Sequence, residues 1–304
     1  MTVTSSTDLP LHAILAHYEE HGWARVGRLA SEELLAGLRS RADAIMLGEA
    51  QPPGLFFQID APSGSYDDLT YGKGYEGPSL AYRKIEKLER DPLFRAWLEN
   101  ADFGRIARAV LGPHGIALYR AVLFAKGASG GSNLPWHQDA GVFWGLDRDP
   151  RLQIWTAIDD VPVESGAVEV VDGSHLWGLA TPLGGVVPDN VLAKRDAEAL
   201  AMPLPAAAGE VLLIHNYLWH RSGKNRTGRP RRAFTACYLD ARTRCLRKRR
   251  APREFVRLWE GVGLASELSG RDAVELVDAV GRPAVGVSER EGEQLDKSNG
   301  EVDP

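Results

Sequence analysis

The sequence predicts a mainly β protein with flanking helices, in which the strands form a jelly-roll barrel. Apolar residues follow helical spacing up to about residue 112. From Ile116 onward the apolar runs are short and rich in β-branched and aromatic residues, and glycine-rich turns separate several of them. Helices do not alternate with these runs, which disfavours a parallel α/β fold.

The N-terminal part is predicted to supply helices that cover one sheet of the barrel. Polar cap residues or proline stand at the expected helix starts, and glycine follows two of the ends. We expect helices over Pro10–His21, from Ser31 to Ile45 and from Asp91 to Gly112, with a strand over Trp23–Leu29.

The barrel itself is predicted from about residue 116 to residue 241. Its strands are expected over Ile116–Lys126, Leu152–Val161, Ala167–Val171, Val211–Asn216 and Arg232–Ala241.

Between the helices, the segment Gln51–Ser79 is rich in Gly, Pro, Asp and Tyr and shows no clear period. A loop this long within a compact domain is usually functional or mobile. It is either a surface flap with packed aromatic residues or a lid over a substrate. For the lid, Tyr71 and Tyr75 are the candidate substrate contacts.

The candidate chemistry centres on His137 and Asp139 in the stretch Trp136-His137-Gln138-Asp139. On an extended strand, residues i and i+2 point the same way, so the imidazole and the carboxylate converge. His220 would complete two histidines and one carboxylate, the ligand set of non-haem Fe(II) oxygenases, which leaves positions open for co-substrate and O₂. A His-x-Asp pair is common by chance, and a hydrogen-bonded core or surface histidine is the alternative.

A candidate carboxylate-binding pair follows His220. Arg231 lies eleven residues further on, at the start of the next apolar run. Its guanidinium can bind a carboxylate with two parallel hydrogen bonds, and the hydroxyl of Ser222 can add a third. The adjacent Arg232 would point to the opposite face of the strand, so only one of the two arginines can face the barrel interior.

Taken together, these stretches resemble the phytanoyl-CoA dioxygenase family of Fe(II)/2-oxoglutarate-dependent oxygenases. The resemblance covers roughly residues 13–241 and implies a double-stranded β-helix, the cupin-like barrel. The matching stretches occur in the family's order and spacing: Pro135–Asp139, Leu152–Asp160, Glu164–Ala167, Gly173–His175, Gly209–Val211, His220–Asn225 and Pro230–Ala233.

The resemblance also implies a metal and a co-substrate. We expect a single oxygenase domain over residues 10–285. Iron would be held by His137, Asp139 and His220. Four residues match positions that bind 2-oxoglutarate or line its site: Arg231 and Ser222, which would hold it, and Gln138 and Trp155, which would line the site.

By the same resemblance, the reaction is the oxidation of a C–H bond of a small molecule, in secondary metabolism, with O₂ consumed and succinate and CO₂ released. Relatives that halogenate have a small residue where Asp139 stands, so Asp139 favours hydroxylation or another oxidation. Phe143 and Trp144 are candidate substrate contacts, with an ordinary core position as the alternative. A metal-dependent hydrolase and a non-catalytic binding barrel remain as other functions.

Composition narrows the class of partner. The chain is 44% hydrophobic and 25% charged, with a net charge of −5, which disfavours a nucleic-acid binder. No apolar run is long enough for a membrane span, and the start lacks the pattern of a signal peptide, so we expect a cytoplasmic protein. Cys237 and Cys245 do not make a disulfide framework.

The two ends of the chain carry less information. Residues 1–9 are expected to be flexible and residues 286–304 to be disordered, because both are polar and lack an apolar period. The basic run Arg242–Arg253 is either a solvated face or a surface that steers an anionic substrate. Glu254–Ala279 is predicted to be helical.

Overall fold

The computed structural model describes residues 9–72, 74–128, 130–247 and 253–261. Its helices are α1 (Leu11–His21), α2 (Glu32–Met46), α3 (Pro92–Leu98), α4 (Ala101–Leu111) and α5 (Asp189–Lys194). Its strands are β1 (Trp23–Arg28), β2 (Phe56–Ile59), β3 (Tyr82–Glu86), β4 (Ile116–Lys126), β5 (Leu134–Gln138), β6 (Leu152–Ala157), β7 (Val168–Val171), β8 (Gly185–Val186), β9 (Ala201–Leu204), β10 (Glu210–Ile214), β11 (His220–Ser222), β12 (Arg231–Asp240) and β13 (Val256–Trp259).

The strands form two antiparallel sheets that share one cavity. The larger sheet has the order β1-β10-β6-β12-β4-β3-β2, with β13 paired to β4. The smaller sheet has the order β8-β5-β11-β7-β9. Residues of both sheets line the same cavity, so the sheets face each other across it, as the jelly-roll prediction requires.

Strand β12 lies at the middle of the larger sheet, between β4 and β6, and all but its last residue are buried. Its alternate side chains pack into two different cores. Phe234, Ala236 and Tyr238 belong to the core under the helices, whereas Ala233 belongs to the core between the sheets. Because β12 contributes apolar side chains to both of its faces, this strand joins the helical layer to the barrel.

The N-terminal helices close the outer face of the larger sheet. The ring of Phe94 in α3 packs 5.2 Å from that of Phe234, and the indole N–H of Trp97 donates to the hydroxyl of Thr156 at 3.0 Å. Replacing a fully buried ring such as Phe234 by alanine would cost about 3–5 kcal/mol of folding free energy.

Two predicted helix boundaries are confirmed: the C-terminal end of α1 at Gly22 and the N-terminal cap of α2 at Ser31. Gly22 ends α1 in the left-handed region, at φ 78°, where a side chain would be strained. The Ser31 hydroxyl caps α2 by accepting a hydrogen bond from the backbone N–H of Leu34 at 3.2 Å.

Three predictions about elements were wrong. The single helix expected from Asp91 to Gly112 is two helices, because Asn100 interrupts it and its side chain caps α4. The segment Gln51–Ser79 contains strand β2, whose four residues are too short to show a period. The helix expected from Glu254 does not begin there, since β13 pairs with β4 instead.

The remainder of that predicted helix, the predicted disordered tail and residues 1–8 lie outside the described residues. Within the described part of the chain, no helix is long and apolar enough to cross a membrane.

Candidate metal centre and co-substrate cavity

The register of the smaller sheet brings the three candidate metal ligands together. Strands β5 and β11 are antiparallel neighbours, and His137 is paired directly with His220. Asp139 follows β5 and points the same way as His137. The Nε2 atoms of His137 and His220 lie 3.9 and 3.7 Å from the carboxylate oxygens of Asp139. One ligand atom from each residue lies within 4.8 Å of the other two.

The hydrogen bonds of the two histidines fit a metal site. Nδ1 of His137 lies 2.9 Å from the carbonyl oxygen of Pro135, and Nδ1 of His220 lies 2.9 Å from that of Leu218. A carbonyl oxygen only accepts, so each Nδ1 donates a hydrogen bond and Nε2 is the ring nitrogen left for a metal. Both Nε2 atoms face Asp139, as metal coordination requires.

Burial and the neighbouring His220 lower the pKa of His137 to about 4. His137 is therefore neutral at pH 7, and no proton has to leave before its nitrogen binds a cation.

The carboxylate of Asp139 is held from one side only. Its Oδ2 accepts from the amide of Gln153 at 2.9 Å and lies 3.1 Å from the guanidinium of Arg120. Burial alone would raise the pKa of Asp139, but Arg120 and the two histidines lower it below its usual value. Among the described residues nothing donates to Oδ1, so this oxygen is the candidate ligand atom.

The backbone of Asp139 is fixed as well. Asn216, fully buried after β10, donates from its side chain to the carbonyl oxygen of Asp139 at 2.9 Å, and its own carbonyl accepts from the Asp139 N–H at 2.9 Å. Arg120, Gln153 and Asn216 are not among the site residues predicted from the sequence. For Gln153 and Arg120, the available signal was a long polar side chain within an otherwise apolar strand.

The metal ligands open onto a cavity of about 680 Å³ between the two sheets. Arg231 and Ser222 line this cavity, and Arg231 is 3% exposed. One guanidinium nitrogen of Arg231 donates to the carbonyl oxygen of Gly166. Its Nε is buried and has no hydrogen-bond partner within the described ranges. A buried arginine with an unused donor is suited to a bound carboxylate.

The loop at Gly166 allows this arrangement. Gly166 is left-handed, at φ 74°, and a Cβ there would collide with the carbonyl oxygen of Gly223, next to Ser222. The close approach of these two backbones needs glycine.

Arg232 points to the opposite side of β12, as strand alternation predicts. Its guanidinium lies 2.8 Å from the carboxylate of Asp159 and 2.7 Å from that of Asp43. Arg232 is thus already paired with two acids, whereas Arg231 faces the cavity.

A family model described as phytanoyl-CoA dioxygenase (PhyH) matches residues 18–233 of the chain. The chain belongs to this family.

Two curated relatives illustrate the range of the match. The chain is 28% identical over 158 residues to phytanoyl-CoA dioxygenase domain-containing protein 1 of Bos taurus, covering 50% of this chain and 54% of that protein. It is 26% identical over 231 residues to dioxygenase af480 of Aspergillus fumigatus, covering 74% and 65%. The chain spans about half the length of the first of these relatives.

Solved structures share the fold. EctD from S. alaskensis, solved with 2-oxoglutarate and 5-hydroxyectoine, has a TM-score of 0.62 at 20% identity, covering 80% of each chain. The 2-oxoglutarate-dependent carbocyclase SnoK from nogalamycin biosynthesis has a TM-score of 0.63 at 19% identity, covering 86% of this chain and 97% of that one. These likenesses confirm the cupin-like architecture of this phytanoyl-CoA dioxygenase family member.

The two residues predicted to line the co-substrate site, Trp155 and Gln138, differ in how their side chains are used. Trp155 on β6 is buried, lines the cavity and pairs with Thr235 on β12. Gln138 borders the cavity, but its amide donates to the carbonyl oxygens of Gly178 and Tyr217 and accepts from the N–H of Ala180. Every polar atom of that amide is used, so its role here is to tie loops to β5. Gln138 lines the cavity, and its place beside the co-substrate stays a prediction.

The predicted substrate contacts also separate into two groups. Tyr71, Phe143 and Trp144 line the cavity. Tyr71 and Phe143 are exposed at its mouth, whereas Trp144 is buried. Tyr75 does not line it: its ring packs against Phe57 at 5.6 Å, so the assignment of Tyr75 as a substrate contact is corrected.

The described part of the basic run is attached to the barrel. Arg242 pairs with Asp240 and Arg244 with Asp147. Arg247 donates to the carbonyl oxygen of Phe143 at 2.9 Å. Arg242 and Arg244 are 52% and 80% exposed, and the Arg247 contact holds the backbone of a cavity-lining residue. Whether the run is a solvated face or a surface that steers an anionic substrate stays a prediction.

Proposed function

We propose that the protein is an Fe(II)- and 2-oxoglutarate-dependent oxygenase that hydroxylates a C–H bond of a small molecule, with release of succinate and CO₂. One observation carries the proposal. The His137, Asp139 and His220 triad opens onto the same cavity that the buried guanidinium of Arg231 lines, and among the described residues this guanidinium has no carboxylate partner.

The donor set supports iron as the metal. Two imidazoles and one carboxylate occupy three positions on one side of a metal and leave the others for exchangeable ligands. His137, Asp139 and His220 would hold the ion, and Gln153 with Arg120 would fix the orientation of Asp139. Bound iron would supply the activation of O₂, and the chain would supply binding, orientation and exclusion of water.

The opposite end of the cavity supports 2-oxoglutarate as the co-substrate. Arg231 and Ser222 would bind its far carboxylate, and Trp155 would form a wall beside it. Neither a hydrolase nor a simple binding barrel needs a buried arginine with a free donor facing a metal triad. EctD from S. alaskensis, a structural neighbour, has been solved with bound Fe and with 2-oxoglutarate, which adds support.

The type of reaction is inferred from the carboxylate of Asp139, and the substrate class from the structural neighbours and the residues that line the cavity. Asp139 occupies the position that halogenating relatives leave open, so oxygen transfer is favoured over halide transfer. Neighbours include an epimerase and a carbocyclase from nogalamycin biosynthesis, which supports a substrate in secondary metabolism. Tyr71, Phe143 and Trp144 would contact this substrate at the cavity mouth.

The experiment is anaerobic Fe(II) titration followed by oxygenated turnover. We expect one tightly bound Fe(II) and oxoglutarate-dependent succinate formation. Mass spectrometry of small-molecule extracts would report a gain of an oxygen atom for hydroxylation, or loss of two hydrogens for desaturation or cyclisation. His137→Ala, Asp139→Ala and His220→Ala should each weaken Fe(II) binding, while His175→Ala should not. Near-wild-type affinity in two of the three triad variants would contradict the metal assignment.

A further inference from the structure

A second buried cation, Lys126, lies beside Arg231. The two residues are direct partners in the register of β4 and β12, so their side chains emerge on the same face. Both line the cavity, and Lys126 is 6% exposed. Two adjacent buried cations do not stabilise a barrel end by themselves, because each buried charge costs free energy unless it is paired.

Lys126 has no carboxylate partner among the residues that the structure describes. Its Nζ donates to the carbonyl oxygen of Ser132 at 2.6 Å. The acid on this side, Asp60, is engaged elsewhere: it accepts from the backbone N–H of Ser132 at 3.0 Å and lies 4.0 Å from the guanidinium of Arg83. The ammonium of Lys126 would therefore be a buried charge facing two guanidiniums, Arg231 from β12 and Arg83 from β3.

These surroundings favour the neutral amine of Lys126 over its ammonium. Burial first, and then Arg231 and Arg83, lower its pKa to about 6, against a smaller opposing effect of Asp60. Arg231 keeps its proton at neutral pH, because burial lowers its pKa only to about 10. The cavity end thus holds fixed positive charge on the guanidiniums of Arg231 and Arg83 and one group, Lys126, that can accept a proton.

We propose that Lys126 takes up a proton from solvent when 2-oxoglutarate binds, and that its ammonium then shares the far carboxylate with Arg231. This inference rests on the proposed function. The step forms one N–H bond at Nζ, moves no electrons and needs no other reactant. The incoming carboxylate supplies the negative charge that the described residues do not offer to Lys126.

A defined pH dependence follows. Below pH 6 Lys126 is already charged, so the affinity for 2-oxoglutarate is at its plateau. Above pH 6 binding must also bring in a proton, so affinity falls by up to about tenfold per pH unit until the pKa of the complex is reached. If Lys126 only holds the loop at Ser132, its removal would change stability and leave this dependence intact.

The test is calorimetry of the full chain loaded with Mn(II) under oxygen-free conditions and titrated with 2-oxoglutarate. Measurements at pH 7.5 in phosphate and in Tris, which differ in ionisation enthalpy, give the number of protons taken up. We expect about one proton for the wild type and near zero for Lys126→Met and Lys126→Arg. The ratio of Kd values, Lys126→Met over wild type, should be largest near pH 6 and shrink toward pH 8.

The matched control is Lys224→Met. Lys224 donates to the carbonyl oxygen of Ser63 at 3.0 Å on the outside of the same end of the barrel and does not line the cavity. It should keep the wild-type uptake. Unchanged uptake in Lys126→Met, or no uptake in the wild type, would overturn the proposal. If Lys126→Met does not fold, the proposal is tested by the proton uptake of Lys126→Arg and by the pH dependence of the wild-type Kd for 2-oxoglutarate. Absence of 2-oxoglutarate binding to the wild type would instead remove the proposed function, and this inference with it.

Discussion

The guanidinium of Arg120 lies 3.1 Å from Oδ2 of Asp139, the oxygen that also accepts from Gln153 at 2.9 Å. The ring of Trp144 lies beneath the same guanidinium, at 4.5 Å. Strands β4 and β6 of the larger sheet thereby orient a ligand that the smaller sheet carries. The metal centre depends on both sheets, although all three candidate ligands come from one side of the cavity.

The first prediction concerns Gln153. Replacing it by methionine keeps the volume and the net charge but removes the donor to Asp139. Because partners of metal ligands fix ligand orientation, Fe(II) affinity should fall by about 10–100-fold. Anaerobic Fe(II) titration measures this change. The control is Gln58→Met, since Gln58 also lines the cavity but does not contact the triad. Equal affinities for Gln153→Met and wild type would show that Arg120 alone orients Asp139.

The sequence predicted those parts of the site that depend on local geometry. His137 and Asp139 share a side because they are two apart, and Arg231 and Arg232 diverge because they are adjacent. Arg120 and Gln153 were missed because their contact with Asp139 depends on how two sheets meet, which no local period encodes. The hydrogen bonds of the Gln138 amide have the same origin, because their partners, Gly178 and Tyr217, lie in loops distant in sequence.

The second prediction concerns acid stability and His215. Burial, and then His175 and Arg151, lower the pKa of His215 to about 3. Between pH 6.5 and 3 the unfolded chain therefore binds a proton that the folded chain does not, so the free energy of unfolding falls as the pH falls through this range. In metal-free protein, His215→Gln should reduce that slope by up to about 1.4 kcal/mol per pH unit.

Urea unfolding at several pH values between 4 and 6.5 measures the slope. Wild type and variant share all other titrating groups, including His137, so their difference isolates His215. Parallel stability curves would mean that His215 is protonated in the folded state.

The third prediction concerns the mouth of the cavity. Tyr71 is 85% exposed, and its ring packs edge-on against that of Phe56, at 5.7 Å between centroids. A bound substrate could bury more of the Tyr71 ring than its present contact with Phe56 does. We expect hydrogen exchange over residues 66–72 to slow when substrate and 2-oxoglutarate bind.

Tyr71→Ala should raise the KM for the substrate and leave the Kd for 2-oxoglutarate unchanged. Tyr75→Ala is the comparison, because Tyr75 packs into the core and should instead lower thermal stability. Equal exchange rates with and without ligands would contradict the closure of this segment.

The last prediction separates Arg231 from Arg232. Arg231 faces the cavity with an unused donor, so Arg231→Ala should remove the charge-assisted pair with the far carboxylate of 2-oxoglutarate. The loss of such a buried pair costs about 2–5 kcal/mol, which raises the apparent KM for 2-oxoglutarate by well over tenfold. Arg231→Lys keeps the charge but loses the fork, so it should be intermediate.

Arg232→Ala provides the matched variant at the adjacent position. It leaves Asp159 and Asp43 without their guanidinium partner, and it should therefore lower stability while the KM for 2-oxoglutarate stays near that of the wild type. Initial rates with 2-oxoglutarate varied and iron saturating, together with thermal unfolding, distinguish the two. A large KM effect in Arg232→Ala and none in Arg231→Ala would mean that the register of β12 is wrong by one residue, since adjacent side chains on a strand face opposite sides.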